Sequence, residues 1–351
     1  MRPIKRFLTL PVLLFLIGGS LIFLVAPALR MLTASAASDD PAKYELSELR
    51  YQGWTGQVLF PELAEDLGYL APIRLKWVGN TISGPQDIQS VVTGDTDFGG
   101  AFNGSIAKLV AAHAPIKAVI AYYGADNGNY TGLYVLDDST IKGARDLIGK
   151  KVGMNTLGAY QEYLLTDYLL RSGLTADDIK EITLVAAPPV SLAQTLRQGR
   201  IDATFLSDII RDKAVEHGGL RPLMTDFEVY GPFSLASYVL TDKFIADQPN
   251  AAHKFVEATA KAIEWARTTP RSQVIARLEQ ITKNRLRAED PTLVDYWKSP
   301  GVAGRGGLMS DHEFASYIEW YVRIGRLKAG EIKASDVYTN RLNPFRDLAA
   351  K

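Results

Sequence analysis

Strand and helix patterns alternate along most of this chain, and this order restricts its possible folds more than any other feature. Apolar periodicity predicts strands at residues 46–51 and 73–78 with a helix at 58–67 between them. A second helix start follows, where Ser83 is placed to cap and Gln86 lies three residues later. Strands that alternate with helices form largely parallel sheets covered by helices. The sequence therefore predicts an α/β fold.

The same order begins again in the middle of the chain. A strand is predicted at residues 151–154 with a helix at 160–171, and a further strand at 201–206 precedes a helix at 209–216. After residue 248 the pattern is mostly helical. We expect a second α/β lobe inserted into the first, with the cleft between them. The predicted divisions are residues 1–36 as a signal peptide, 45–134 as the first part of lobe 1, 135–230 as lobe 2, and 231–346 as the second part of lobe 1 with the C-terminal helices.

Residues 94–104 read Gly-Asp-Thr-Asp-Phe-Gly-Gly-Ala-Phe-Asn-Gly. We interpret 97–99 as the end of a buried strand and 101–105 as a turn that opens a helix at Ile106. Such a helix start leaves backbone N–H groups free for a small ligand, especially an anion. We find no nucleophile, base or metal ligand there that would point to chemistry. The pattern therefore indicates that this segment binds a ligand and does not catalyse a reaction.

The N-terminus has the composition of a secretory signal. Arg2, Lys5 and Arg6 precede an apolar run at residues 7–28, and residues 34–36 offer a small-x-small cleavage site. This predicts a periplasmic protein, although an uncleaved membrane anchor is the alternative because the run is long enough to span a bilayer. The chain has no cysteine, which excludes a lipoprotein anchor and disulfides. Stability must come from the core.

The charge balance argues against a nucleic-acid partner. The whole chain has 39 basic and 39 acidic residues, and four of the basic ones lie in the predicted signal. The remainder is therefore slightly acidic, whereas nucleic-acid binding needs a concentrated basic face.

Five segments together resemble a known family. These are residues 94–99, 144–153, 196–203, 238–244 and 338–345. In their order and spacing the chain resembles the periplasmic solute-binding proteins of ABC importers that bind aliphatic sulfonates, taurine, nitrate and thiamine-pyrimidine precursors. The resemblance covers about residues 46–345. It implies a two-lobed class II periplasmic-binding-protein fold that closes on its ligand and delivers it to the permease subunits of an ABC transporter, as a monomer without a cofactor.

One segment departs from the family pattern. Where the family often has Asp-Ala-Trp-x-x-Trp-Asp-Pro, this chain has Thr204, Ser207 and Ile209 in place of the two tryptophans and the proline, while Asp208 remains. We therefore expect a roomier pocket on this side and a ligand other than a simple alkanesulfonate.

The candidate ligand-binding residues follow predicted strands or open predicted helices. Several have a structural alternative: Ser83, Asn103 and Ser105 are also suited to helix capping, and Trp54 to the core. Asp208 is either a partner for a ligand amine or the cap of a helix beginning at Ile209, and capping is slightly favoured. Tyr122, Tyr123 and Tyr130 are suited equally to the cleft and to packing. The full candidate set is Gln52, Trp54, Ser83, Gly84, Phe102, Asn103, Gly104, Ser105, Asn155, Thr156, Gly158, Tyr160 and Asp208.

These observations favour a binding protein that captures a small organic anion of the sulfonate or sulfate-ester type. Catalysis has little support, because the four histidines are scattered without metal-ligand spacing. Two alternatives remain open. An enzyme of the pyrimidine-precursor synthase type on the same scaffold would be cytoplasmic and rich in His and Cys near its site. A membrane-tethered sensor would retain the N-terminal segment.

Overall fold

The structure, a computed structural model, describes residues 40–285, 287 and 289–348. The predicted signal at residues 1–36 lies outside these residues. Among the helices that are described, none combines the length and the apolar character that crossing a membrane requires.

Ten strands and thirteen α-helices make up the described part of the chain. The strands are β1 (Glu48–Trp54), β2 (Arg74–Thr81), β3 (Gly99–Phe102), β4 (Ile116–Ala125), β5 (Thr131–Leu136), β6 (Lys151–Met154), β7 (Thr183–Ala186), β8 (Ala203–Ser207), β9 (Leu220–Thr225) and β10 (Phe233–Thr241). The helices are α1 (Phe60–Asp66), α2 (Gly84–Thr93), α3 (Asn103–Ala111), α4 (Tyr160–Arg171), α5 (Ala176–Lys180), α6 (Pro189–Arg197), α7 (Asp208–Glu216), α8 (Asp226–Tyr230), α9 (Asp242–Asp247), α10 (Pro249–Thr268), α11 (Arg271–Asn284), α12 (His312–Arg323) and α13 (Ala334–Val337).

The strands form three sheets. β1 pairs with β2 in parallel, and β10 lies between β3 and β4, antiparallel to both. The third sheet has the order β7-β6-β8-β5-β9, with parallel pairing among β7, β6 and β8 and antiparallel pairing of β5 with β8 and β9. The expectation of largely parallel pairing was wrong, because β10 returns from far along the chain and β5 enters its sheet in the opposite direction.

The five-stranded sheet is built only from β5 to β9, whereas the other two sheets combine β1 to β4 with β10. The chain therefore enters the five-stranded sheet after β4 and leaves it before β10. One large core underlies α10 and includes Phe98, Val119 and Phe255. A second core includes Val152 and Phe205 and is joined by α12. The residue limits given above for the lobes stay a prediction.

Two helices begin where local signals place them. The Ser83 hydroxyl accepts a hydrogen bond from the Gln86 N–H, and α2 ends at Gly94, whose backbone is left-handed with φ 81°. Tyr160–Arg171 is helical over its whole predicted length.

Residues 97–105 differ from their prediction. The strand is Gly99–Phe102 rather than 97–99, and α3 follows directly from Asn103. A Cβ atom on Gly99 would lie 2.9 Å from the Asp87 carbonyl oxygen, and one on Gly100 would lie 2.6 Å from the Tyr122 ring. These glycines therefore allow close packing within a strand and do not form a turn.

Three further differences concern short elements. β9 and α8 were not predicted. Within the mostly helical region predicted after residue 248, Pro291–Tyr296 is a 3₁₀ helix rather than an α-helix.

Candidate functional site

A cavity of about 160 Å³, here called the cleft, lies where β3, β8 and β10 meet the starts of α2, α4 and α7. Residues of both α/β parts line it, which is the place that the fold class predicts for a ligand. Seven of the thirteen predicted site residues line the cleft: Trp54, Gly84, Phe102, Asn155, Thr156, Tyr160 and Asp208.

Among the described residues, six aromatic residues line the cleft: Trp54, Phe102, Tyr122, Tyr123, Tyr160 and Phe205. Phe102 and Tyr160 pack with ring centroids 5.4 Å apart, and Tyr122 stacks on Tyr238 at 4.0 Å. Tyr122 and Tyr123, suited equally to packing and to the cleft by sequence, both line it. Sequence reasoning missed the remaining lining residues: Gln57, Pro85, Ala101, Thr131, Ala159, Gln161, Pro189, Leu192, Phe205, Leu206, Ser207, Ile210, Leu235 and Ala236. The one available signal was their position after a strand or at a helix start, as for Pro189 and Ser207.

Asn103, Gly104 and Ser105, three of the predicted site residues, do not line the cleft. Asn103 has no exposed surface: its Oδ1 accepts a hydrogen bond from Ser237 Oγ at 2.8 Å and its Nδ2 donates to the Glu313 carbonyl at 3.2 Å. A Cβ atom on Gly104 would lie 2.5 Å from the Phe102 ring, and Ser105 is buried. Asn103 therefore ties α3 to β10 and α12.

Replacing Asn103 with alanine is expected to lower the free energy of unfolding by about 1–3 kcal/mol, because Ser237 loses its buried acceptor. The affinity of the folded protein for its ligand should not change. Urea unfolding and calorimetry measure the two effects, with Asn127→Ala on an exposed turn as the control. Weaker binding at unchanged stability would restore Asn103 to the site.

Three other predicted residues also lie off the cleft wall. Gln52 is in β1, and Ser83 is used as the cap of α2. Gly158 has φ 71°, its N–H donates to Glu162 Oε2 at 2.6 Å, and its carbonyl accepts a hydrogen bond from the Tyr321 hydroxyl. Gly158 therefore shapes the loop before α4 and ties it to α12.

The start of α4 is the best anion site that the cleft offers. Ala159 occupies the N-cap position of this helix, and its side chain accepts no capping hydrogen bond. Thr156 also lines the cleft, and its buried hydroxyl has no hydrogen-bond partner among the described residues. The first turn of a helix presents N–H groups without intrahelical partners, and these attract negative charge. The carboxylate in this turn, Glu162, accepts a hydrogen bond from the Gly158 N–H. The start of α2 is less suited to an anion, because the Gln86 N–H already donates to the Ser83 hydroxyl and Pro85 has no backbone N–H to donate.

Asp208 stands at the end of β8 as the first residue of α7. Its φ is 44°, a left-handed conformation that aspartate tolerates better than most residues but that still costs energy. Its Oδ1 accepts a hydrogen bond of 3.4 Å from the Ile210 N–H, as long as the one that the Ser83 cap accepts. Asp208 therefore contacts the first turn of α7 and also lines the cleft. Burial raises the pKa of Asp208.

The neighbouring charges are already paired. Arg211 is buried, its guanidinium donates to the Tyr130 and Gly128 carbonyls at 2.6 and 3.1 Å, and it pairs with Asp212 at 2.8 Å. Within the described part of the chain, no lysine or arginine lines the cleft. Asp208 is therefore the side chain that contributes ionic charge to this wall.

A second buried carboxyl, that of Asp226, binds two residues of the cleft wall. Asp226 accepts hydrogen bonds from the Tyr160 hydroxyl at 2.8 Å and from the Thr131 N–H at 2.9 Å, and both donors line the cleft. Burial raises the pKa of Asp226 to about 6. The residues that the structure describes contain no cluster of three or more His, Cys, Asp or Glu side chains suited to a metal ion.

Comparison with known proteins gives a family and a fold. The family model described as NMT1/THI5 like matches residues 63–273. No match was found among the curated proteins.

Three solved structures illustrate the shared fold. The alkanesulfonate-binding protein SsuA from Xanthomonas axonopodis pv. citri, bound to MOPS, is 18% identical with a TM-score of 0.66, over 84% of this chain and 99% of that one. The periplasmic nitrate-binding protein NrtA from Synechocystis PCC 6803 is 13% identical with a TM-score of 0.64, over 88% and 89%. The desulfurization enzyme DSZB is 17% identical with a TM-score of 0.57, over 87% and 98%. The predicted fold class is confirmed.

Proposed function

The chain belongs to the NMT1/THI5-like family, and from this premise we propose that it is an extracytoplasmic solute-binding protein of the ABC-importer type. Its similarity in fold to a sulfonate-binding and a nitrate-binding periplasmic protein supports this role. Delivery to permease subunits and a periplasmic location follow from the same proposal.

The cleft supports one particular class of ligand. The start of α4 with Thr156 suits an acidic group such as a sulfonate, whereas Asp208 suits a hydrogen-bond donor or an ammonium group. A purely anionic ligand, the class slightly favoured by the sequence, would face an unpaired carboxylate in a partly buried site, which is costly. We therefore propose a small zwitterion with an acidic group and an amine. The observation that carries this proposal is that Asp208 and the start of α4 line one cleft.

Binding rather than turnover is the activity that we propose. One structural neighbour is a desulfurization enzyme, so the fold alone does not separate the two. The described cleft wall has neither histidine nor cysteine. Its close hydroxyl pair, Ser207 and Thr131 at 2.9 Å, lies near the Asp226 carboxyl, but that carboxyl accepts from the Thr131 N–H and the Tyr160 hydroxyl rather than from either hydroxyl of the pair.

Calorimetry with three matched compounds tests the proposed ligand class. Taurine has both charges, ethanesulfonate has only the anion and ethylamine only the cation. We expect taurine to bind at least about tenfold more tightly than either, because each charged contact contributes more than 1.4 kcal/mol. Equal affinities for taurine and ethanesulfonate would contradict a role for Asp208 in meeting an amine.

A further inference from the structure

A second cavity of about 100 Å³, here called the inner cavity, lies beside the cleft. Its walls come from the segment before α1, from α10 and α11, and from residues 294–300. Leucine, valine and tryptophan side chains form one part of its lining, among them Leu59, Leu63, Val274, Leu278, Val294 and Trp297.

The two cavities share part of their walls. Gln57, Tyr122, Tyr123 and Asp208 line both, so these four side chains form the boundary between them. The start of α4 and Thr156, in contrast, line only the cleft. A ligand that extends from α4 past Asp208 therefore points its far end into the inner cavity.

The inner cavity suits an apolar group. Leu63, Val274 and Val294 are at most 2% exposed and belong to the large core. Cores are close-packed, and an empty apolar space of this size destabilises a protein. A bound apolar group would restore these contacts.

The polar side chains around the inner cavity mostly have partners, either within its lining or just outside it. Lys298 pairs with Asp212 at 3.0 Å, and Ser299 donates to Asp126 at 2.6 Å. Asn129 donates to the Gly124 carbonyl at 3.1 Å. The exception is the buried Tyr238 hydroxyl, which has no hydrogen-bond partner among the described residues. These side chains therefore add no free charge that would attract a second ionic group.

We propose that the inner cavity binds an apolar substituent carried on the amine of the ligand. The inference rests on the proposed function and specifies its substrate class: an N-substituted zwitterion whose acidic group lies at α4, whose ammonium lies at Asp208 and whose apolar substituent fills the inner cavity.

An N-alkyl series tests this assignment by calorimetry on the full protein. N-methyltaurine, N-propyltaurine and N-butyltaurine keep both charges and lengthen only the substituent. We expect affinity to rise about threefold for each added methylene group that becomes buried. Ala266→Leu adds volume to a wall of the inner cavity on α10 and should reduce the gain from methyl to butyl to less than about threefold. It should leave the affinity for N-methyltaurine within about twofold.

Two further variants keep the test independent of folding defects. Val294→Phe fills the same space from the 3₁₀ helix Pro291–Tyr296 and should likewise reduce the gain in affinity with N-alkyl chain length. Ala193→Leu on α6, outside both cavity walls, should preserve the wild-type series. A wild-type affinity that does not depend on chain length, or a series that Ala266→Leu and Val294→Phe leave unchanged, would overturn the assignment.

Xenon-pressurised crystals separate this inference from the proposed function, because xenon enters apolar cavities without any ligand. Xenon density in the inner cavity of the wild type, and none in Ala266→Leu, supports an accessible apolar subsite. N-methyltaurine binding without xenon or a chain-length effect would overturn the subsite but uphold the proposed function. If no taurine derivative binds, the proposed ligand class fails and this assignment fails with it, whether or not xenon enters.

Discussion

Replacing Asp208 with asparagine is expected to weaken taurine binding by about 30-fold or more, because the ammonium group loses its charged partner in a partly buried site. Asparagine adopts the left-handed backbone of residue 208 as readily as aspartate does, so the local fold should persist. Ethanesulfonate should bind as well as before or better, because an uncompensated carboxylate has been removed. Calorimetry with both compounds measures this contrast.

Asp177→Asn, on the exposed face of α5, is the matched control and should change neither affinity. An equal loss of both affinities in Asp208→Asn would indicate damage to the cleft rather than loss of a charge contact. Retained binding of both compounds with lower thermal stability would favour the capping role that the sequence slightly preferred.

Replacing Glu62 with glutamine is expected to lower the free energy of unfolding by about 3–5 kcal/mol, because it removes a carboxylate that two buried arginines share. Arg285 keeps its pair with Glu289, whereas Arg287 loses its ion-pair partner among the described residues. Glu62 is 5% exposed, and it pairs with Arg285 and Arg287 at 2.9 Å each. It also accepts hydrogen bonds from the Tyr51 hydroxyl at 2.6 Å and from the Leu59 N–H at 2.8 Å. Urea unfolding monitored by circular dichroism measures the change.

Asp247→Asn serves as the control for Glu62→Gln, because Asp247 pairs with Lys243 on the surface of α9. Exposed ion pairs contribute little to folding stability, so Asp247→Asn should change the free energy of unfolding by no more than about 0.5 kcal/mol. If Glu62→Gln were equally mild, the buried network would not hold Arg285 and Arg287 against α1 and Tyr51 as the contacts indicate.

Elements with local signals were predicted well from the sequence. The cap at Ser83 and the left-handed glycine at Gly94 delimit α2, and the helical spacing in α4 gave both of its ends. The seven predicted residues on the cleft wall were found in the same way, since a residue that follows a strand or opens a helix is placed by its neighbours in the chain.

Features that depend on distant parts of the chain were not predicted. Gly99 was taken for the end of a strand that in fact begins there, because the tight contacts of Gly99 and Gly100, with Asp87 and Tyr122, are made only in the folded protein. Asn103 has the residue type of a cap or a ligand-binding group, and its role depends on Ser237 and Glu313, more than 130 residues away. The inner cavity combines residues from 57 to 300 and has no signature in any one segment.

The central claim is that a small zwitterion binds between two lobes that close on it. A ligand shifts the protein to a closed state only if it makes better contacts there. Small-angle X-ray scattering on the wild type, with and without saturating taurine, measures this directly. We predict a smaller radius of gyration in the bound protein. An unchanged radius, with calorimetry on the same sample showing the site to be occupied, would contradict the account.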